Sequence, residues 1–205
     1  METRCVIFDI GGVLETTPAT GWDEGWERRL GLPPGSMHRR LGDVWEAGSL
    51  GRMTESEVRA RVAAILGLDP ERTAAFMADL WDEYLGSPNE DLIAYVRGLR
   101  TRCRLGILSN SFVGAREREQ ELYGFGDLVE DVRDIVYSHE IGINKPAPEA
   151  FAVACERLRV RPADCLFVDD AEANVLAAEA VGMRGLLYAG NTATVAGIEE
   201  HLARR

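Results

Sequence analysis

The stretch Cys5-Val6-Ile7-Phe8-Asp9-Ile10-Gly11-Gly12-Val13-Leu14 decides how this chain is read. Cys5 to Phe8 is apolar and partly β-branched without alternation, the pattern of a strand buried on both faces. Asp9 falls where that strand ends, and in open α/β sheets ligands bind outside the carboxyl ends of the strands. Gly11 and Gly12 let the main chain turn close to a ligand, with Gly12 placed to approach an anion. Taken alone, the same run is also an ordinary Asp-Gly-Gly turn. Three later stretches tip the balance.

Outward from Leu14 the pattern changes. From Glu15 to about Gly86 the apolar residues fall at helical spacing and no convincing strand appears. Trp22, Trp26 and Leu30 form one stripe; Met37, Leu41, Val44 and Trp45 form another. Thr54-Glu55-Ser56-Glu57 is a capping box ahead of Val58, Val62 and Ile65. Asp69-Pro70 opens a further helix with Phe76, Leu80 and Tyr84 on one face. Residues 16–86 therefore read as a small helical bundle inserted after the first strand, with all four tryptophans (Trp22, Trp26, Trp45, Trp81) in its core.

Ser87-Pro88-Asn89-Glu90 reads as a second capping box. Beyond it strand and helix alternate. Leu105–Leu108 is a strand ending at Ser109-Asn110, Ile135–Tyr137 a short strand, and Cys165–Val168 a strand ending at Asp169-Asp170. Helices are expected near 115–122, 148–158, 171–181 and 195–202, and a last strand over 185–188. Alternating β and α units imply a parallel sheet covered by helices on both faces. The expected division is a core of residues 1–15 and 87–205 with a helical cap at 16–86.

Composition bounds the partners. A chain of 205 residues can bury a sizeable core, and 46% hydrophobic with 28% charged residues is ordinary for a globular protein. A net charge of −11 argues against nucleic acid as a partner. No run approaches the ~18 apolar residues of a membrane span, and no signal peptide is recognisable, so no membrane partner and a cytoplasmic location are expected. Cys5, Cys103, Cys155 and Cys165 form no C-x-x-C pair, and Cys5 and Cys165 fall in core strands. Among 23 basic residues Lys145 is the single lysine. A lone ammonium in an arginine-rich chain marks a place where a compact point charge is wanted.

In a parallel sheet the strand ends share one rim, so Asp9, Ser109, Asn110, Asp169 and Asp170 should converge there. Lys145, in Gly142-Ile143-Asn144-Lys145-Pro146, follows another short strand near the same rim. Three acids brought together repel unless a cation lies among them. Carboxylate oxygens suit Mg²⁺, which commonly shares its shell with a substrate phosphate. Such a cation with Lys145 would screen a phosphate against an attacking carboxylate, with Ser109 donating to a phosphoryl oxygen.

These segments, in this order and with the insertion in this place, resemble the haloacid dehalogenase-like (HAD) hydrolases whose helical cap follows the first strand. Phe8-Asp9-Ile10-Gly11-Gly12-Val13-Leu14 is similar to the nucleophile motif, Leu108-Ser109-Asn110 to the Ser/Thr motif, Gly142-Ile143-Asn144-Lys145-Pro146 to the lysine motif, and Phe167-Val168-Asp169-Asp170 with Asn174 to the metal motif. The resemblance implies a Rossmannoid α/β fold and a Mg²⁺-dependent phosphatase of a small phosphorylated metabolite. Asp9 would be nucleophile and metal ligand. The Gly11 carbonyl and Asp170 would also bind the metal, with Asp169 doing so through water. Ser109, Asn110, Lys145 and Gly12 would hold the phosphoryl group, and Asn174 would steady Lys145. The cap would act as a lid hinged near 15–17 and 86–87.

One position departs from the pattern. Phosphatases of this family usually carry a second aspartate two residues after the nucleophile, as proton donor and acceptor; here it is Gly11. Loss of general acid–base help costs about 10²–10⁴-fold in rate. A substrate with a good leaving group, such as an anomeric, acyl or aryl phosphate, is the favoured resolution. A substitute acid is another: Glu15, Asp23 and Glu24 lie nearby, although each reads first as solvated surface charge. His139, next to the lysine motif, reads as structural. The alternatives to phosphatase are a catalytically weak module binding phosphate or a partner, and a 2-haloacid dehalogenase. The paired acids Asp169-Asp170 count against the last.

Overall fold

The structure, a computed structural model, describes residues 4–204. Its centre is a five-stranded sheet of β1 (Cys5–Phe8), β4 (Arg104–Ser109), β5 (Ile135–Tyr137), β6 (Cys165–Asp169) and β7 (Arg184–Leu187), in the order β5-β4-β1-β6-β7. Each neighbouring pair runs parallel. β2 (Glu15–Thr16) and β3 (Ser87–Pro88) stand apart as a short antiparallel ribbon.

Side chains alternate across β1 and the two faces bury different partners. Val6 and Phe8 join a cluster with Leu92, Val96 and Leu99 of α5 (Glu90–Leu99) and Ile198 of α10 (Asn191–Ala203). Cys5 and Ile7 pack on Phe151 and Leu158 of α8 (Pro148–Leu158) and Ala178 of α9 (Glu172–Ala180). This is an α/β sheet clothed on both faces, as the unalternating strand sequences imply. The register sets Phe8 beside Ile107 on one side and Val168 on the other. Asp9, Ser109 and Asp169 therefore leave three adjacent strands at the same rim. All four cysteines are free thiols, and Cys5, Cys155 and Cys165 are buried among the apolar residues.

Between the two ribbon strands lie α1 (Trp22–Leu30), α2 (Ser36–Ser49), α3 (Glu55–Leu66) and α4 (Pro70–Leu85). Their starts follow the local chemistry. Thr54 and Glu57 close a reciprocal capping box, and Asp69 accepts from the Arg72 amide at 2.8 Å ahead of Pro70. Buried Glu27 of α1 caps α2 from outside, accepting from the amides of Gly35 and Met37 at 2.8 Å each. Trp26 and Trp81 are buried, while Trp22 and Trp45 are half-buried against the same cluster. That cluster also takes in Phe112 and Ala115, which come after β4. Phe112 meets Trp45 and Trp81 edge-on, with ring centres 5.8 and 6.2 Å apart. The core of the insertion is thus completed by the sheet-bearing half of the chain.

Two local expectations are corrected. A strand does occur at Glu15–Thr16; two residues are too few to show a period-2 pattern. And the cap of α5 is Asn89, whose side chain accepts from Leu92 N, while Ser87, the cap that the Ser87–Glu90 box requires, sits with Pro88 in β3. Asn89 has further work that a local motif does not reveal: its amide donates to Val13 O and its backbone N–H to Leu14 O, both at 2.9 Å.

Candidate active site

The lone lysine is the hub of the rim. Lys145 is 3% exposed, and its Nζ lies 2.8 Å from Asp9 Oδ1 and 2.7 Å from Asp169 Oδ2. Asp169 is held by three further contacts: the Ala171 amide at 2.8 Å and Asn174 Nδ2 at 3.1 Å from each carboxylate oxygen. Asp9 Oδ1 also accepts from the Ile10 amide at 2.8 Å. A planar guanidinium would have to fit the same fully enclosed gap between two carboxylates, which a compact ammonium fills.

Asp170 completes an acidic cluster. Asp9, Asp169 and Asp170 each offer an oxygen, all within 4.8 Å of one another. Burial pushes the Asp9 carboxyl up to about 6 against the pull of Lys145, and burial with the neighbouring Asp169 raises Asp170. Three hard oxygen donors with one ammonium among them form a set suited to a small divalent cation. Gly12 makes the approach possible: its φ is +73°, and a Cβ there would come within 2.2 Å of Asp170 Oδ2.

The remaining sequence-chosen residues are at the rim, with different local duties. Ser109 is buried at the end of β4, its hydroxyl donating to Asn110 O at 3.4 Å. The side chain of Asn110, a residue expected at the phosphoryl group, splints the lysine loop: Nδ2 donates to Lys145 O at 2.8 Å and Oδ1 accepts from Lys145 N at 2.7 Å. The main chain around Lys145 has no regular secondary structure to satisfy its polar groups, so a side-chain amide does so. Asn174, expected to steady Lys145, acts one step removed by gripping Asp169. Gly11 is half-buried with no unusual φ, and its side-chain direction opens toward Glu15 and Thr17.

Several residues at this rim escaped the sequence. Asp23 and Glu24 are exposed, as surface charges should be, but Glu15 is buried. Burial pushes its carboxyl up to about 8. Glu119 of α6 (Ala115–Tyr123) is buried as well, accepts from Tyr137 Oη at 2.5 Å, and is raised to about 7 by burial. Burial together with Glu119, Asp9 and Glu15 raises the phenol of Tyr84. The only signal for Glu119 was an acid on the same helical stripe as Ala115, too faint to single out. His139 holds Ser111 Oγ at 2.6 Å through Nδ1, a structural duty.

A parallel α/β sheet with a buried lysine between two carboxylates and a third acid at one rim is an arrangement suited to ester hydrolysis. The sequence profile of the haloacid dehalogenase-like hydrolases matches residues 3–182, and the chain belongs to that family. It is 30% identical to Phosphatase MT3486 of Mycobacterium tuberculosis, over 99% of this chain and 95% of the relative. It is 26% identical to D-ribitol-5-phosphate phosphatase of Bacteroides thetaiotaomicron, over 83% of this chain and 84% of that one. Among solved structures, a HAD family enzyme from Bacteroides thetaiotaomicron superposes with a TM-score of 0.81 at 20% identity, covering both chains completely. A crystal structure of that enzyme in complex with magnesium and inorganic phosphate superposes with a TM-score of 0.77 at 21% identity, covering 92% of this chain and 96% of the other. Among the described residues no helix is long and apolar enough to cross a membrane.

Proposed function

We propose that this hydrolase is a Mg²⁺-dependent phosphatase of a small phosphorylated metabolite, working in the cytoplasm through an aspartyl-phosphate on Asp9. The observation that carries the reading is the Lys145 ammonium, 2.8 Å from Asp9 and 2.7 Å from Asp169, beside a third carboxylate at the same rim. Asp9, Asp170, the Gly11 carbonyl and, through water, Asp169 are the groups that would hold the ion. When bound, Mg²⁺ supplies charge neutralisation for a phosphoryl group facing an anionic nucleophile.

The protein's own residues do the rest. Lys145 orients the Asp9 carboxylate and offsets the charge of an incoming phosphate. Asn110 and Asn174 hold the lysine and its counter-ion in place, so little reorganisation is needed as the reaction proceeds. Ser109 and the main chain at Gly12 line the phosphoryl position. Residues 16–86 form the cap over a body made of residues 1–15 and 87–205. Opening about the β2–β3 ribbon has to release Ser138 Oγ from Ser49 O (2.8 Å) and Arg118 from Glu55 (2.6 Å). A relative named D-ribitol-5-phosphate phosphatase supports the substrate class, and one named a phosphatase supports the reaction.

The test is phosphate release from p-nitrophenyl phosphate with and without Mg²⁺, in the native chain and in Asp9→Asn. Release should require the metal, and Asp9→Asn should fall by at least about 10⁴-fold while keeping its fold. Full activity in Asp9→Asn ends the reading.

A further inference from the structure

Cleaving a phosphate monoester leaves an oxygen that needs a proton unless the alcohol is unusually acidic. The groups already assigned have none to give. Asp9 attacks, Lys145 is held between two carboxylates, and Asp169 is enclosed by its donors. Beside Asp9, position 11 carries no side chain. A Cβ built on Gly11 would meet two side chains within 4 Å: Glu15 Oε2 at 3.8 Å and Thr17 Oγ1 at 3.9 Å. The space next to the nucleophile loop is therefore bounded by a carboxyl that reaches it from four residues downstream.

That carboxyl is built in. Glu15 is 3% exposed. Its backbone pairs with Pro88 in the ribbon, and its amide donates to Ile10 O at 3.0 Å. Oε2 accepts from Thr17 Oγ1 at 3.3 Å, which orients the group. Oε1 is buried without a hydrogen-bond partner. It lies over Gly86, where a Cβ would come within 2.2 Å. That oxygen is shut in against the Gly86 main chain, so Oε2 is the carboxyl oxygen that faces Gly11.

We propose that Glu15 is the proton donor and acceptor of this site, acting at the leaving oxygen and then at water; the assignment rests on the phosphatase reading above. As Asp9 bonds to phosphorus, the bond to the alcohol oxygen breaks and its electron pair goes to that oxygen. The oxygen takes the Glu15 proton and departs as the alcohol. The Glu15 carboxylate then takes a proton from water as the water oxygen bonds to phosphorus. The phosphorus–Asp9 bond breaks, its electrons return to the Asp9 carboxylate, inorganic phosphate leaves, and Glu15 is protonated again. Position qualifies the residue: Oε2 borders the space that the glycine leaves empty. Simple alkyl esters then come within reach, and the restriction to reactive esters expected from Gly11 alone is lifted.

The test uses a graded series of small phosphate monoesters with Mg²⁺, from p-nitrophenyl phosphate to simple alkyl phosphates. In the native chain kcat/KM should change little as the leaving alcohol becomes less acidic. Glu15→Gln should lose about 100-fold or more on alkyl esters and less than about 10-fold on the nitrophenyl ester. Gly11→Asp added to Glu15→Gln puts an acid into the same space and should recover part of the alkyl activity. A loss equal on both ester classes, or no loss, overturns the assignment, since a structural role would not sort esters by leaving group. If Glu15→Gln does not fold, the native series decides: a steep fall toward alkyl esters overturns the assignment, and a flat profile upholds it. Absence of any phosphate release by the native chain, nitrophenyl ester included, removes the phosphatase reading and this assignment with it.

Discussion

The two rims of the sheet use the same residue types to opposite ends. At the carboxyl rim buried Asp9 and Asp169 share one buried ammonium, and exposed Asp170 stands beside them. At the amino rim arginines meet acids in forks: Arg104 with Asp134 at 2.7 Å and with Glu130, Arg161 with Asp164 at 2.8 Å. A groove there is lined by Arg104, Arg133, Arg157 and Arg159 with Glu130, Asp131, Asp134 and Glu156, so its charges compensate. One rim is balanced and the other is left short of cations. Unbalanced buried charge destabilises a resting protein, and it persists where a ligand is to complete it.

The largest expected effect comes from removing the ammonium. Lys145→Met leaves Asp9 and Asp169 buried without a counter-charge and should cost about 3–5 kcal/mol in urea unfolding. Phosphate release should vanish as well. If stability is unchanged, the contrast between the rims is wrong.

A second test uses pH. Glu119, beside the active rim, titrates near 7 when folded against an ordinary 4.5. Its raised value means that the folded state keeps a proton which the unfolded chain releases. The contribution to stability is therefore present below about pH 4.5 and is lost as pH rises through about 7. The groups around Glu119 are Tyr137, Asp9, Arg116, Glu15, Tyr84 and Tyr123. Glu119→Gln should stabilise the protein at pH 8 by up to about 3 kcal/mol and leave it unchanged at pH 4. Asp164, held low by Arg161 at the opposite rim, has the reverse sign: its contribution is present above the ordinary carboxylate range and fades as pH falls. Unfolding curves of Glu119→Gln and Asp164→Asn across pH separate the two.

Smaller effects sharpen the comparison. Gly12→Ala forces a side chain into φ +73° and against Asp170. It should cost about 1–2 kcal/mol and abolish any Mg²⁺-induced rise in Tm. At the amino rim Arg133→Met, which removes the exposed pair with Asp131, should barely move the urea midpoint and leave phosphate release within about twofold of native. A large loss of activity there would mean that the far rim is not merely structural.

How legible the site was varied with range in the sequence. Asp9 and Asp169 were readable because each ends a short buried run, and parallel strands bring their ends together by geometry alone; Lys145 was readable as the single lysine of the chain. The capping box at Thr54 and the Asp69-Pro70 start were readable because helix caps are local. Asn110 and Asn174 were found, but their partners were not. An amide can serve a ligand or a loop equally well, and only packing shows which. Glu15 looked like surface charge because nothing near it in sequence announces a two-residue ribbon. Its burial comes from Pro88 and Gly86, more than seventy positions away.

Local pattern by itself determined the five strands of the main sheet, most helices, the order of the motifs and the rim at which the carboxylates end, since burial runs, capping and strand direction act over a few residues. Tertiary structure alone decided which acids are buried, which amide grips which partner, and that Phe112 completes the core of the helical insertion. Those outcomes depend on desolvation and contact between segments distant in the chain, and no short window of sequence contains either.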